Sequence, residues 1–367
     1  MIPELPEYLS SLGGEAHKGL IIPLFTLMAG LSRPFSGRLT DTIGRVPILI
    51  YGAVVCIVAG IIYPLVTSVF AFFLLRLLHG MSTGFKPTAT MAYAGDIAPI
   101  ERRGEAMGIQ GMFGSLGMAA GPAIGGLIAL NMGLDKLFYV SSAFALLSVV
   151  VVLQMPETLI TRVPFRWELL KIGWSDVFEK KAFPSSIVMF LTAFSSGTVL
   201  TLIPDFSSHL GIGNKGIFFT IFTLSSILMR FLSGKISDRY GRVPVLMIGT
   251  LIYFFTMTAA GFVQSIGFFY LVAFAFGLAI GLTSPTIFAW TVDLADDQFR
   301  GRALATMFIA LEAGIGIGGV FSGYSYANNP ANFPLSFAVS GLLALCAFFY
   351  LVYYRASRKR IPQCGGK

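Results

Sequence analysis

A small set of charged residues stands in an otherwise apolar sequence, and the set occurs twice. Residues 37–47 read GRLTDTIGRVP and residues 234–244 read GKISDRYGRVP, an offset of 197 residues. An aspartate placed where the chain leaves the membrane can cap or face a helix N-terminus. A nearby glycine permits close helix approach. The repeated residues are Gly37, Asp41, Gly44 and Arg45, and then Gly234, Asp238, Gly241 and Arg242.

The same offset relates residues beyond the motif. These pairs are Gly80 with Gly277, Asp96 with Asp293, and Arg103-Gly104 with Arg300-Gly301. We predict that Arg45 pairs with Asp96, because the two residues close apolar runs on the same side of the membrane. Arg242 and Asp293 are predicted to pair in the same way. The alternative is that these charges merely anchor loops among the lipid headgroups. Two halves of about 180 residues indicate a duplicated membrane bundle.

Composition places the chain in a membrane. Hydrophobic residues make up 55% of the sequence, charged residues 12%, and the mean hydropathy is +0.77. Uncharged runs of about 18 residues or more are candidate membrane spans. Such runs occupy 46–75, 106–134, 137–156, 183–204 and 243–292. We therefore predict an all-α polytopic membrane protein.

The net charge of +8 lies in alternate connections between the apolar runs. This alternation follows the positive-inside rule, so the basic connections and the C-terminus are predicted to be cytoplasmic, in a bacterial inner membrane. The placement argues against a nucleic-acid partner. The three cysteines have no paired spacing, so no disulfide framework, metal site or cofactor is predicted.

The apolar runs divide into eleven complete spans. They are 16–36, 46–66, 69–94, 104–130, 137–155, 183–205, 214–234, 244–263, 266–291, 301–325 and 334–354. By the repeat offset, residues 1–9 are expected to be the outer end of a first helix that lacks about 15 residues. Either the start is assigned too late or the chain is truncated. A signal peptide is the competing interpretation, but no basic stretch precedes an apolar core.

The predicted organisation has four parts. They are an N-terminal transmembrane bundle (1–155), a cytoplasmic linker (156–182), a C-terminal transmembrane bundle (183–355) and a basic cytoplasmic tail (356–367). Bulky apolar residues recur in the linker at helical spacing, which predicts an amphipathic helix on the membrane face. They are Trp167, Leu170, Trp174, Val177 and Phe178. A loosely ordered linker is the alternative.

The pattern G-x-x-x-D-x-x-G-R between two spans resembles the signature loop of the major facilitator superfamily, and so does its recurrence in the second half. The resemblance covers essentially the whole chain. It implies a twelve-helix architecture of two pseudo-symmetric six-helix bundles around a central cavity, acting as a monomer that alternates between inward-facing and outward-facing states. It also implies that the repeated charges hold the cytoplasmic gate shut and separate during the cycle.

A glycine pattern in the predicted span 104–130 fits G-x8-G-x3-G-P-x2-G-G. It is similar to a motif associated with antiporters of the superfamily, and it favours export over import. Glycines at this spacing also permit close helix packing and the proline a bend, so ordinary packing is the alternative. The residues are Gly108, Gly117, Gly121, Pro122, Gly125 and Gly126.

Charges inside the spans are the best sequence indicators of substrate and ion sites. Arg76 and Lys86 lie with His79 on a span that, by the resemblance, contributes to the cavity. Glu312 is the carboxylate deep in the span 301–325 and the candidate for proton titration. The alternatives are an ordering ion pair for Lys86 and a satisfied interior group for His79. Glu312 could instead pair structurally with Arg33.

These patterns together predict a secondary active transporter that moves a small organic solute by alternating access. The favoured form is a proton-coupled efflux antiporter. Its predicted partners are the small-molecule substrate, protons and the lipid bilayer. An importer of an anionic metabolite and a truncated, transport-dead member are the alternatives. An enzyme is not predicted, because the sequence has no H-E-x-x-H, G-x-S-x-G or Walker motif.

Overall fold

The structure is a computed structural model that describes residues 4–14, 17, 20–171, 173, 177–212, 217–327 and 329–359. The regular secondary structure within these ranges is helical. Twelve α-helices lie wholly inside them and are numbered in chain order: α1 (Leu5–Ser11), α2 (Ile21–Thr42), α3 (Arg45–Ile62), α4 (Val69–Ile97), α5 (Arg103–Met132), α6 (Leu134–Leu153), α7 (Phe183–His209), α8 (Ile217–Tyr240), α9 (Arg242–Ala260), α10 (Ile266–Leu294), α11 (Arg300–Tyr326) and α12 (Phe333–Lys359).

Eight helical segments in the described ranges are long and apolar enough to cross a membrane by length and composition. They include α3 and every helix from α6 to α12. Charged side chains interrupt the apolar surface of α2 and α4, which pack in the same bundle as α3. The prediction of an all-α polytopic membrane fold is therefore confirmed.

Several helices extend beyond the predicted spans. The span predicted at 16–36 is a helix over Ile21–Thr42, and that predicted at 214–234 is a helix over Ile217–Tyr240. The predictions ended where charges begin, whereas a helix can continue through the headgroup region with its charges hydrated or paired. As a result, Asp41 and Asp238 lie in the last turn of a rigid helix rather than in a loop.

The turns that follow these two aspartates depend on glycine. Gly44 precedes α3 with a φ of 130°, and Gly241 precedes α9 with a φ of 87°. Residues with a side chain rarely adopt these values, whereas glycine does so at little cost. Each tight turn places the next arginine at the first position of the following helix, directly beside the aspartate that precedes the turn.

The described residues form two compact units. Unit 1 contains residues of the ranges 1–97, 116–182 and 294–309, and unit 2 those of 98–115, 183–293 and 310–367. The beginning of α11 therefore belongs to unit 1 and the beginning of α5 to unit 2. In unit 1, α4 packs against both α2 and α3, and α3 packs against α6. In unit 2, α12 packs against α7 and α9.

Aromatic clusters order each unit at the helix ends away from the repeated motif. In unit 1 the rings of Tyr63 and Phe138 stack with a centroid separation of 5.0 Å. In unit 2 Phe206 packs on Phe333 with a separation of 4.5 Å. Because lipid tails are as apolar as these side chains, such clusters stabilise the units through packing rather than through exclusion of water.

The linker is only partly described. Its described residues include one turn of 3₁₀ helix at Trp167–Leu170, and the backbone N–H of Val163 donates to the carbonyl of Thr42. The predicted amphipathic helix falls partly on residues 172 and 174–176, including Trp174, which lie outside the described residues.

Candidate functional site

A cluster of charges in unit 1, here called node 1, consists of Asp41, Arg45, Asp96, Arg300 and the first backbone N–H groups of α11. The two carboxylate oxygens of Asp41 accept hydrogen bonds from the N–H groups of Gly301 at 2.7 Å and Arg302 at 2.8 Å. First-turn N–H groups have no partner within their own helix, and the positive end of the helix dipole attracts an anion. Asp41 thus holds the start of α11 against the end of α2.

Arginine side chains complete node 1. Arg45 lies 3.2 Å from Asp41 and 3.0 Å from Asp96, and it also donates to the carbonyl of Thr40 at 2.7 Å. Arg300 reaches the other carboxylate oxygen of Asp96. Asp96 therefore lies between two guanidinium groups, one from α3 and one from α11. Such charge-assisted hydrogen bonds are roughly twice as strong as neutral ones.

An equivalent cluster in unit 2, here called node 2, consists of Asp238, Arg242, Asp293, Arg103 and the first N–H groups of α5. Asp238 accepts from the N–H groups of residue 104 at 2.8 Å and residue 105 at 2.9 Å, and Arg242 donates to it. Arg242 lies 2.9 Å from Asp293, and Arg103 lies 3.0 Å from the same carboxylate. The same groups thus act in the same roles in both units.

Glycines allow the helices at each node to meet. A side chain at Gly37 would come within 3.0 Å of the Arg302 Cα atom, and one at Gly234 would lie 2.5 Å from the carbonyl oxygen of Gly104. The repeated glycine therefore gives α2 its contact with α11 and α8 its contact with α5. This is the close approach that the carboxylates need to reach the backbone N–H groups.

The sequence analysis did not assign a role to Arg103 and Arg300, although both stand in the repeat register and could have been found there. It also missed Glu157, whose carboxylate accepts from the backbone N–H groups of Arg45 and Val46, each at 2.9 Å. Glu157 caps the N-terminus of α3. Nothing in the sequence pattern signals this contact, because Glu157 follows α6 and its partners are backbone atoms.

The glycines of the α5 motif differ in what surrounds them. Gly108 packs against the backbone of α8 at Arg230, whereas a Cβ atom at Gly117 or Gly121 would meet nothing within 4 Å. Gly125 is buried, and Gly126 is 3.7 Å from the Glu4 carboxylate by the same measure. Among the residues that the structure describes, close helix packing is thus present at Gly108 and absent at the two central glycines. The helix runs from Arg103 to Met132, through position 122.

The intramembrane charges of α4 contact different neighbours. Arg76 is buried, donates to the carbonyl of Ile21 at 3.2 Å and to the Tyr63 hydroxyl at 3.3 Å, and stacks on an aromatic ring of α2. The ring nitrogen of His79 is 3.4 Å from the same hydroxyl. Lys86 instead donates to the hydroxyl of Ser148 on α6 at 2.9 Å.

Arg76 and Lys86 therefore do not share one site within unit 1. Glu312 lies half-buried on α11, in the part of that helix that belongs to unit 2. In the portion of the chain that the structure describes, no group of three histidine, cysteine, aspartate or glutamate residues is placed to hold a metal ion.

The long apolar helices and the two matching nodes define a polytopic membrane transporter built from a duplicated half. The sequence matches the Major Facilitator Superfamily over residues 1–215 and 185–366, so the chain belongs to this family. The family resemblance stated from the sequence is confirmed. The family and the relatives below are transporters rather than enzymes.

Curated relatives and solved structures agree with this assignment. The chain is 29% identical to Multidrug resistance protein 2 of Bacillus subtilis in an alignment of 318 positions that covers 81% of this chain and 77% of the relative. It is 26% identical to Multidrug resistance protein MdtG of Escherichia fergusonii in an alignment of 384 positions, gaps included, that covers 100% of this chain and 92% of the relative.

Two solved structures share the fold at low sequence identity. The human organic anion transporter MFSD10 (TETRAN) superposes with a TM-score of 0.79 at 18% identity, over 94% of this chain and 87% of that protein. The proton:xylose symporter XylE superposes with a TM-score of 0.79 at 16% identity, over 96% of this chain and 91% of that protein.

Proposed function

We propose that this protein exports small organic compounds across a bacterial inner membrane by alternating access, in exchange for protons. The observation that carries the proposal is the pair of matching nodes, in which the same charged groups tie the beginning of one helix to the ends of others. The names of the multidrug resistance relatives and the glycine spacing of α5 favour export.

In the proposed mechanism the two nodes are latches. When a latch opens, Asp41 or Asp238 loses its bonds to a helix N-terminus. The arginines of that node lose their carboxylate partners at the same time. Because uncompensated buried charges are costly, partial opening is disfavoured and each latch switches between two states. The nodes lie at the helix ends, so the charges of an opened latch can be hydrated.

We further propose that Glu312 takes up the coupling proton. It lies eleven residues after Gly301, which corresponds to about 16 Å along a continuous helix at 1.5 Å per residue. The helix α11 thus links node 1 with an intramembrane carboxylate. A shift of α11 caused by protonation of Glu312 would act directly on the N–H groups that Asp41 binds.

Transport in proteoliposomes with an internal pH indicator tests the proposal. A panel of drugs, sugars and organic acids is added to wild type and to the variants Asp41→Asn, Arg45→Ala and Glu312→Gln. We expect substrate-driven proton counterflow in wild type and its loss in both node variants, with all proteins inserted. Asp296→Asn is the control, because its side chain is 54% exposed and bonds Lys181, a residue outside node 1, so it should transport normally.

The outcomes separate the parts of the proposal. Wild-type flux in both node variants would reject the latches. An unchanged pH profile in Glu312→Gln would reject this residue as the proton site. Protons and substrate moving in the same direction would show an importer, such as one for an anionic metabolite, in place of the exporter.

A further inference from the structure

Arg33 and Arg230 occupy equivalent positions in the two halves, since they are separated by the repeat offset. Arg33 lies on α2 and Arg230 on α8, each two turns before the aspartate of its node. This corresponds to about 12 Å along the helix at 1.5 Å per residue, and both residues lie inside predicted membrane spans. Ionisable residues within such spans mark functional sites unless neighbouring groups satisfy them.

The structure satisfies Arg33 within unit 1. Its side chain is 2% exposed. It donates to the carbonyl oxygen of Gly84 at 3.2 Å and to the Thr88 hydroxyl at 3.1 Å. Its guanidinium group also lies over the ring of Phe308, at 4.3 Å from the centroid. Arg33 is therefore enclosed by polar and aromatic neighbours that fix its position.

Arg230 has fewer partners within unit 2. Its Nε atom donates to the hydroxyl of Ser226 at 3.2 Å. Among the residues that the structure describes, no carboxylate lies at ion-pair distance from it. A side chain at Gly111 would overlap its Nη1 atom, so the guanidinium group fits beside α5 only because residue 111 has no side chain. One turn further along α5, a Cβ atom at Gly114 would meet nothing within 4 Å.

The repeat explains why the two arginines differ. By the offset, Phe308 corresponds to Gly111 and Thr88 corresponds to Pro285. The second half has thus lost both the ring and the hydroxyl that engage the arginine in the first half. The cation has been kept, and its Nη1 atom occupies the place that a side chain of residue 111 would take, where its counterpart meets an aromatic ring.

We propose that Arg230 binds the carboxylate of an organic anion that the protein transports, a proposal that rests on the transport function proposed above. Arginine stays charged in a protein interior, and its two Nη groups match the two oxygens of a carboxylate in a bidentate pair. Ser226 holds the Nε atom, which leaves the Nη edge for the ligand. The apolar part of the solute lies toward Gly114, where a Cβ atom would meet no atom of the described residues within 4 Å.

Calorimetric titration of the full chain in lipid nanodiscs with 2-naphthoate and 2-naphthamide tests the site. The two probes share ring and shape and differ in charge. We expect wild type to bind the carboxylate at least tenfold more tightly than the amide. Arg230→Gln should remove this preference. Arg239→Gln, the same change at an exposed position of the same helix, should retain it.

A second variant guards against misfolding of Arg230→Gln. Gly111→Phe restores the ring of the first half and keeps the charge. The atoms nearest to a Cβ there all belong to the flexible Arg230 side chain, which can shift. The variant should therefore fold, displace or cover the guanidinium group and remove the preference for the carboxylate. Equal affinity of wild type for both probes, or a preference that survives in Arg230→Gln or in Gly111→Phe, would overturn the proposal.

Transport assays on the same proteins separate this site from the proposed function. Preferential carboxylate binding that depends on Arg230, without flux of any compound, would keep the anion site and reject the transporter. Node-dependent flux of neutral compounds, without a preference for 2-naphthoate, would reject the anion site and keep the transporter.

Discussion

Node 1 and node 2 use the same side chains in the same roles, yet node 1 is more enclosed. Arg45 is 1% exposed and Asp96 10%, whereas Arg242 is 10% exposed and Asp293 24%. The additional contacts of node 1 come from the residues that follow α6. Glu157 caps α3, and the Thr158 hydroxyl donates to Asp96 at 2.6 Å.

The second half has no such addition, because the position that corresponds to Glu157 is Tyr354. The comparison distinguishes the contacts that both nodes share from those that only node 1 has. The shared contacts are a carboxylate on a helix N-terminus and a second carboxylate between two arginines. The contacts of Glu157 and Thr158, here called the added layer, join node 1 to the start of the linker. We therefore expect that the two nodes respond unequally to equivalent substitutions.

The largest difference is expected between Asp41→Asn and Asp238→Asn. Each change removes the charge that binds a helix N-terminus and leaves an arginine with less compensation. Loss of one partner from a buried pair typically costs about 3–5 kcal/mol, and less where water reaches the site. Initial transport rates, normalised to inserted protein, should therefore fall at least tenfold for Asp41→Asn and by less for Asp238→Asn.

The control for this pair is Asp296→Asn, since that carboxylate is 54% exposed and bonds a lysine outside the node. It should leave the rate unchanged. Equal losses in the two node variants would show that the greater enclosure of node 1 has no energetic consequence.

Alanine at the two turn glycines sharpens the comparison. Gly44 and Gly241 both have positive φ with extended ψ, a region that costs other residues about 1–3 kcal/mol. A Cβ atom at Gly44 would also overlap the Glu157 carboxylate, whereas one at Gly241 meets only the Pro244 ring at 3.8 Å. Gly44→Ala should lower the thermal midpoint more than Gly241→Ala. The reverse order would contradict the role of Glu157.

Removal of the added layer should make the nodes more alike. Glu157→Gln weakens the cap of α3, and loss of a helix cap typically costs about 1 kcal/mol. The thermal midpoint should fall modestly, and the excess effect of Asp41→Asn over Asp238→Asn should shrink in this background. A double-mutant cycle on transport rates measures that coupling. Strict additivity would place Glu157 outside the node.

The sequence predicted much of this arrangement, because the repeat supplies two copies of each important residue. Each predicted span overlaps one of the helices α2–α12, and the structure brings Arg45 to Asp96 as the matched positions suggested. Helix ends were predicted less well. Charge was taken to end a span, whereas α2 continues to Thr42 and carries Asp41 to the first turn of α11.

Other features could not be predicted because they break the repeat. Glu157 acts through backbone groups, so no pattern of side-chain types reveals it. The position of the Arg230 guanidinium group depends on the absence of a side chain at Gly111, and a glycine in a glycine-rich helix gives no signal by itself. Lys86 and Arg76 share a helix, but their partners come from different neighbours: Arg76 contacts α2 and Tyr63, which follows α3, whereas Lys86 contacts α6.

The smallest effect is expected beside node 1, at the ion pair between Lys181 and Asp296. Both side chains are 54% exposed although their atoms lie 2.7 Å apart. Exposed pairs contribute about 0–1 kcal/mol, since water and salt screen the charges and ordering the side chains opposes the gain. Lys181→Gln should therefore leave the transport rate and the thermal midpoint within error.

Arg302→Gln is the informative contrast to Lys181→Gln. Arg302 is 18% exposed, and its partner Glu179 is 11% exposed at 2.8 Å. Both ion pairs join residues just before α7 to residues at or just before the start of α11, but only the pair of Arg302 and Glu179 is largely shielded from water. A measurable loss in Arg302→Gln with none in Lys181→Gln would show that enclosure, rather than the number of ion pairs, determines how firmly the start of α11 is held. Equal small effects would show that the start of α11 is held mainly by its contacts with Asp41 and Asp96.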